Sequence, residues 1–214
     1  GHKFWHERNG LRFVDSLELL DDNNKKLRNL NLTYAVRDGI IAHCGEVDEN
    51  GIFPREELID LDKFDRVGKY QPATWEGCVV KISDKIAYIG RDIEDALALG
   101  FLERGQVEEL EASGALNTTV IIHDLISDIC ANSSPNAGIR LSPEANAKLN
   151  AVKAFNYKNI YSNPRFEAYQ QYAALVLNSI FNVLADLYAP QYALSNVLRA
   201  RKYYPLLCSS FADW

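Results

Sequence analysis

Lys81-Ile82-Ser83-Asp84-Lys85-Ile86-Ala87-Tyr88-Ile89-Gly90-Arg91-Asp92-Ile93-Glu94-Asp95 is the periodic stretch around which the chain is organised. At helical spacing Asp84, Tyr88, Arg91 and Asp95 fall at i, i+4, i+7 and i+11, with Lys85 and Asp92 on the adjoining row. Ile82, Ile86, Ile89 and Ile93 form a separate apolar stripe. The pattern predicts one long amphipathic helix from about Ala73 to Leu99. Pro72 suits its start and Gly100 its left-handed stop. Carboxylates, cations and a phenol sharing one face mark that face as a place where chemistry is carried.

On either side of this stretch helical periods dominate. Leu11, Val14, Leu17 and Leu20 predict an amphipathic helix over Arg8–Leu20. The cluster Asp21-Asp22-Asn23-Asn24 reads as a turn, and Asn31 as the cap of a helix carrying Leu32, Val36, Ile40 and Ile41 and ending at His43-Cys44-Gly45. Glu46–Tyr70 reads as a long polar excursion with one short helix near Arg55–Ile59. Further helices are expected at Gln106–Ala112, at Leu116–Cys130 as a buried element, at Pro143–Phe155 behind the Ser142 cap, at Phe166–Tyr188 and at Tyr192–Lys202. Strand signals are nearly absent. The fold class is therefore all-α, a multi-helix bundle expected to form one domain over 1–214.

With 214 residues, 24% of them charged, and a formal net charge of -6, the composition is that of a soluble globular chain and gives no indication of nucleic-acid binding by bulk charge. An acidic protein can still bind an anion where cations gather, and Lys81, Lys85 and Arg91 are read as that focus. The four cysteines, Cys44, Cys78, Cys130 and Cys208, show no C-x-x-C spacing and are read as reduced, mostly buried thiols in a cytoplasmic protein. No apolar run is long enough for a membrane span. The chain contains no methionine, which fits a piece of a longer sequence.

Few residues offer catalytic chemistry. His6, between two aromatics and Glu7, is a candidate general acid or base near neutral pH. His43 beside Cys44 is read as interacting with the helix dipole, because neighbouring helical residues do not face each other. His123-Asp124 lacks a converging set of further ligands and is read as structural. The Asn156–Tyr161 segment could stack on a base but more commonly marks a helix end. Walker A, G-x-G-x-x-G, H-E-x-x-H and G-x-S-x-G patterns are all missing.

Asn31-Leu32-Thr33-Tyr34-Ala35-Val36-Arg37-Asp38-Gly39-Ile40, Pro72-Ala73-Thr74-Trp75-Glu76 and Ser83–Asp95, together with Trp5–Phe13, resemble the dGTPase-like deoxynucleoside triphosphate triphosphohydrolases of the HD-domain superfamily. The resemblance runs in order through roughly residues 4–110. It implies an HD-domain-like helical fold and cleavage of a dNTP to deoxynucleoside plus inorganic triphosphate. It further implies a divalent metal with Asp84 as a ligand, Lys85 on the phosphates, Tyr88 on the sugar, Asp92 on the 3′-hydroxyl and His6 at the scissile phosphate. The family's upstream histidine and His-Asp pair have no counterpart before Asp84, so the chain is expected to be the C-terminal two-thirds of such an enzyme, inactive by itself and without a tight metal site at Asp84. A homo-oligomer is also expected. The alternatives are another HD-type nucleotide phosphohydrolase and a non-catalytic helical oligomer subunit or regulator.

Overall fold

The computed structural model describes residues 4–45, 50–108 and 118–213. It is all-α, with eight α-helices and one small strand pair among the described residues. Two compact units emerge, Gly1–Tyr161 and Ser162–Trp214.

In the first unit, α1 (His6–Arg12) continues as a π-helical turn, Phe13–Leu17, and then yields to β1 (Leu19–Asp21), antiparallel to β2 (Leu27–Asn29). The helix expected over Arg8–Leu20 is thus cut short. Asp22 explains why: its carboxylate accepts from the backbone N–H of Asn24 and Lys26 and from Arg28, closing a tight turn that two strands can flank. Helix α2 (Tyr34–Ala42) begins after Thr33, and Asn31 adopts a positive φ of 50° in place of the expected cap.

The organising helix forms as α3 (Trp75–Ala98). Thr74 caps it by accepting from the Gly77 N–H at 3.1 Å, and Gly100 turns the chain out at φ 67°. Its isoleucine stripe is the buried side: Ile82, Ile86, Ile89 and Ile93 are each at most 4% exposed. At about 1.5–3 kcal/mol for each fully buried side chain, this stripe is the largest single anchor of the helix. Beyond it, α4 (Thr118–Asn132) and α5 (Pro143–Asn156) pack against α3, α5 opening as expected with Ser142 accepting from the Ala145 N–H. Helix α4 buries only Thr118, Ile121 and Leu125, so it is one-sided where burial all round was expected. A π-helical turn, Tyr157–Tyr161, follows α5. The helix expected at Gln106–Ala112 falls largely outside the described residues, with a 3-10 turn at Arg104–Gln106 before it.

The excursion between α2 and α3 has no helix at Arg55–Ile59, and among its described residues only the 3-10 turn Leu61–Lys63 is a helical element. Its order comes from a buried ion pair. Asp38 on α2, 1% exposed, receives Arg55 on one carboxylate oxygen and the Ala73 N–H on the other. Arg55 also donates to the Tyr34 hydroxyl at 2.8 Å and to the Gln71 and Glu57 carbonyls. Tyr34 in turn donates to Ile59 O at 2.9 Å and accepts from Ile59 N at 3.0 Å. Burial works against the Arg55 charge, but Asp38 and Tyr34 outweigh it and hold the guanidinium protonated. The excursion is sewn to the rest at Ile52, which exchanges two backbone hydrogen bonds with Ile139. Leu61 and Phe64 then sit in a core with Leu11, Ile41 and Ala42.

In the second unit α6 (Arg165–Leu187) is long and apolar, as expected, yet none of its residues is buried: Tyr172, Leu177 and Phe181 are each more than 60% exposed. Helices α7 (Ala193–Ala200) and α8 (Pro205–Asp213) close a small core of Val197, Ala200 and Cys208. Among the described residues no helix is long and apolar enough to cross a membrane.

Removing one member of the buried pair strands the other charge in the interior. Asp38→Ala is expected to cost about 3–5 kcal/mol of unfolding free energy, measured by urea denaturation of the purified chain. A loss below about 1 kcal/mol would show that Arg55 reaches water without it.

Candidate functional site

Two clusters lie along α3. The first joins the start of α1 to the end of α2. His6 is the first residue of α1, its side chain 61% exposed, and its Nδ1 lies 3.2 Å from Oε2 of Glu7, which is buried. The other ring nitrogen, Nε2, lies 3.3 Å from Sγ of Cys44. The His43 ring meets that of His6 edge-on at 5.5 Å, and its Nδ1 is 2.7 Å from the Ile40 carbonyl oxygen. The neighbour of Cys44 is therefore His6, from a different element, while His43 is turned to its own helix end as expected.

Gly45 fixes this corner. Its φ of 108° suits glycine, and a Cβ there would stand 2.4 Å from Gly68 Cα and 3.4 Å from Lys81 Nζ. Lys81 is fully buried below the corner. Burial and the neighbouring Glu7 push the Cys44 thiol up to about 12, Asp84 adding to the rise and Lys81 opposing it. Lys81 is thus not part of an exposed cationic face. Arg91 is 68% exposed and stands 3.8 Å from Asp95 and 4.0 Å from Glu94. The cation focus expected from Lys81, Lys85 and Arg91 does not form one exposed face, because Lys81 is buried, Lys85 half-buried and Arg91 exposed beside Glu94 and Asp95.

The second cluster holds the sugar-side residues named from the sequence. Asp84, Tyr88 and Asp92 follow at four-residue steps, about 6 Å of rise each, so they line one edge of α3 over about 12 Å. Asp84 is exposed, Lys85 half-buried, and Tyr88 39% exposed. The Tyr88 phenol is raised by burial, with Asp84, Asp92 and Tyr157 acting in the same sense and Lys153 opposing. Asp92 accepts a hydrogen bond from the Tyr161 hydroxyl, and Tyr161 packs edge-on against Tyr157 at 5.1 Å. Asn156, 1% exposed, locks the π-helical turn to α3 by donating to Ile89 O at 2.9 Å. Tyr161 and Lys153 were missed as site residues in the sequence. Only the tyrosine-rich character of Tyr157–Tyr161 hinted at them.

Two concavities lie elsewhere. One of about 710 Å³ runs between α2 and the start of α3 and touches only His43 of these residues. Another, about 280 Å³, lies between α4 and α5 beside Ile89. His123 and Asp124 are exposed, 3.5 Å apart and part of no converging group of ligands among the described residues. Of the cysteines, only Cys78 and Cys208 are buried, Cys44 being half-buried and Cys130 exposed.

Similarity to known proteins extends along most of the chain. Over 187 residues it is 30% identical to a deoxyguanosinetriphosphate triphosphohydrolase-like protein of Desulfatibacillum aliphaticivorans, covering 85% of this chain and 48% of that one. The chain is a relative of the dGTPase-like triphosphohydrolases. Proteins of the same description from Caldanaerobacter subterraneus and Clostridium perfringens are 28% and 27% identical, over 86% and 83% of this chain and 46% of each relative. The chain spans about half the length of the curated relatives it matches. No protein-family model matches it.

The Tyr161–Asp92 contact makes a pH-dependent prediction. Burial, and then the bond to Asp92, raise the Tyr161 phenol above its ordinary 10.0, so the folded state favours the protonated form. That contribution is complete below pH 10.0 and is lost as pH rises toward the folded value. Tyr161→Phe should therefore lower stability by about 1 kcal/mol at pH 8. The gap between wild type and variant in urea denaturation should narrow as the pH is raised beyond 10.0. A pH-independent gap would mean that the hydroxyl does not hold Asp92.

Proposed function

We propose that the protein hydrolyses deoxynucleoside triphosphates, releasing the deoxynucleoside and inorganic triphosphate. The observation that carries this reading is the edge of α3 on which Asp84, Tyr88 and Asp92 stand in register, with Asp92 held by Tyr161. The description shared by the relatives supports it.

The residues divide the work by position. Asp92 accepts the 3′-hydroxyl, and the Tyr161 donor beside it keeps the carboxylate oriented for that bond. Tyr88 packs its ring on the sugar, while Lys85 neutralises phosphate charge one turn nearer to Asp84. Water attacks the α-phosphorus, the bond from that phosphorus to the 5′-oxygen breaks, and His6 gives a proton to the leaving 5′-oxygen. The Glu7 carboxylate lies 3.2 Å from Nδ1 of His6 and gives the ring a negative neighbour.

The resemblance implies a divalent metal with Asp84 among its ligands. Among the described residues Asp84 stands in no group of three side chains able to hold an ion, so the residues present do not make that site. The roles of His6, Lys85, Tyr88 and Asp92 are independent of it.

The test is the product. The protein expressed from the whole gene, given a dNTP and a divalent salt, should release triphosphate and free deoxynucleoside, resolved by anion exchange and reversed-phase chromatography. Pyrophosphate or orthophosphate would place the cleavage elsewhere and overturn the reading. A 2′,3′-dideoxy substrate should lose about tenfold or more in kcat/KM, since a charged acceptor is left without its donor. Asp92→Asn should erase most of that discrimination.

A further inference from the structure

We propose that His6, His43 and Cys44 form a binding site for a thiophilic divalent cation, of which Zn²⁺ is the type. The site is distinct from the metal implied at Asp84, and it does not rest on the hydrolase reading. One ligand atom from each of the three side chains lies within 4.8 Å of the other two. Bond lengths of about 2.0–2.3 Å in tetrahedral zinc place neighbouring ligand atoms roughly 3.3–3.8 Å apart. His6 Nε2 and Cys44 Sγ already stand at 3.3 Å, and a ring nitrogen of His43 lies within 4.8 Å of the ligand atoms of both residues.

The groups behind the two imidazoles carry more weight than the spacing. A histidine that binds a metal needs one ring nitrogen bare and the other committed to an oxygen acceptor that fixes tautomer and orientation. The His43 ring meets this requirement, and the His6 ring has a carboxylate oxygen within reach of Nδ1, not yet hydrogen-bonded to it. His6 Nδ1 lies 3.2 Å from Oε2 of the buried Glu7, an acceptor with no other hydrogen-bond partner, and His6 Nε2 lies toward the sulfur. His43 must donate from Nδ1 to the Ile40 carbonyl, which can only accept, and this leaves its Nε2 as the acceptor nitrogen. Two histidines from separate elements, each with its Nδ1 against an oxygen beside the same thiol, are what a site with two imidazoles and one thiolate requires.

The surroundings favour a cation. Glu7 and Asp84 act on Cys44 as negative neighbours and Lys81 as a positive one. The backbone is pinned on both sides, by Trp5 packing on Phe64 ahead of His6 and by the Gly45 turn after Cys44. The exposed His6 ring provides the way in. With three protein ligands the fourth position is left to water or an anion. If the proposed reaction holds, an occupied site withdraws His6 Nε2 from proton transfer, giving the enzyme a brake operated by a soft cation.

The experiment uses the 214-residue chain, reduced and stripped of metal, titrated with Co²⁺ and then Zn²⁺. One equivalent of Co²⁺ should produce a thiolate-to-cobalt charge-transfer band with intense visible d–d absorption, and one equivalent of Zn²⁺ should remove both. The band should vanish in Cys44→Ser, and should persist in Cys130→Ser, which alters the exposed thiol. His43→Gln gives an independent loss of tetrahedral intensity, and circular dichroism verifies that each variant is folded. Glu7→Gln should weaken Co²⁺ binding about 10–100-fold while the band is kept. No charge-transfer band in the wild type, or one that survives Cys44→Ser, overturns the proposal. Failure of dNTP hydrolysis would leave these spectra unchanged, so the two readings fail separately.

Discussion

The structure of the first unit depends on one buried carboxylate. Asp38 ties α2 to the middle of the excursion through Arg55 and to the approach of α3 through the Ala73 N–H. Burying two charges is unfavourable unless the remaining donors and acceptors are met. Here they are met by Tyr34 and by the Gln71 and Glu57 carbonyls, so a segment with almost no regular structure acquires a fixed path. An apolar pair of the same volume would bury as well. It would not specify where the Ala73 N–H, and with it the Thr74 cap and the rotation of α3, must sit.

From that frame α3 serves two neighbourhoods at once. Its first half lies below the His6 and Cys44 corner, with Lys81 buried under Gly45 and Asp84 felt by the Cys44 thiol. Its second half carries Asp92 to Tyr161 and Ile89 to Asn156. The isoleucine stripe holds the helix rigid between them. The exposed edge between them carries Asp84 and Asp92 about 12 Å of helix apart.

What the sequence revealed follows from which interactions are local. The extent of α3, its isoleucine stripe, the Gly100 stop and the Ser142 cap depend on neighbours within a turn or two, and all were legible. The Asp22 hairpin was hidden because its strands are only three residues long and show no alternation. Asp38 could not be singled out, since a lone aspartate on a helix gives no sign of the Arg55 that buries it. The approach of Cys44 to His6 and of Tyr161 to Asp92 spans distant parts of the chain, and no spacing rule reaches that far. Lys81 was misjudged for a related reason: its helical position borders the polar face, but the Gly45 turn covers it.

A double-mutant cycle asks whether the Asp38–Arg55 pair frames the unit. Unfolding free energies of the wild type, Asp38→Ala, Arg55→Ala and the double variant, measured in urea at one pH, give the coupling between the two charges. The double variant is predicted to lose less than the sum of the single losses by about 2–3 kcal/mol, because each single change leaves a buried charge alone. Losses that add to within about 0.5 kcal/mol would contradict this, showing that the two side chains stabilise the fold independently.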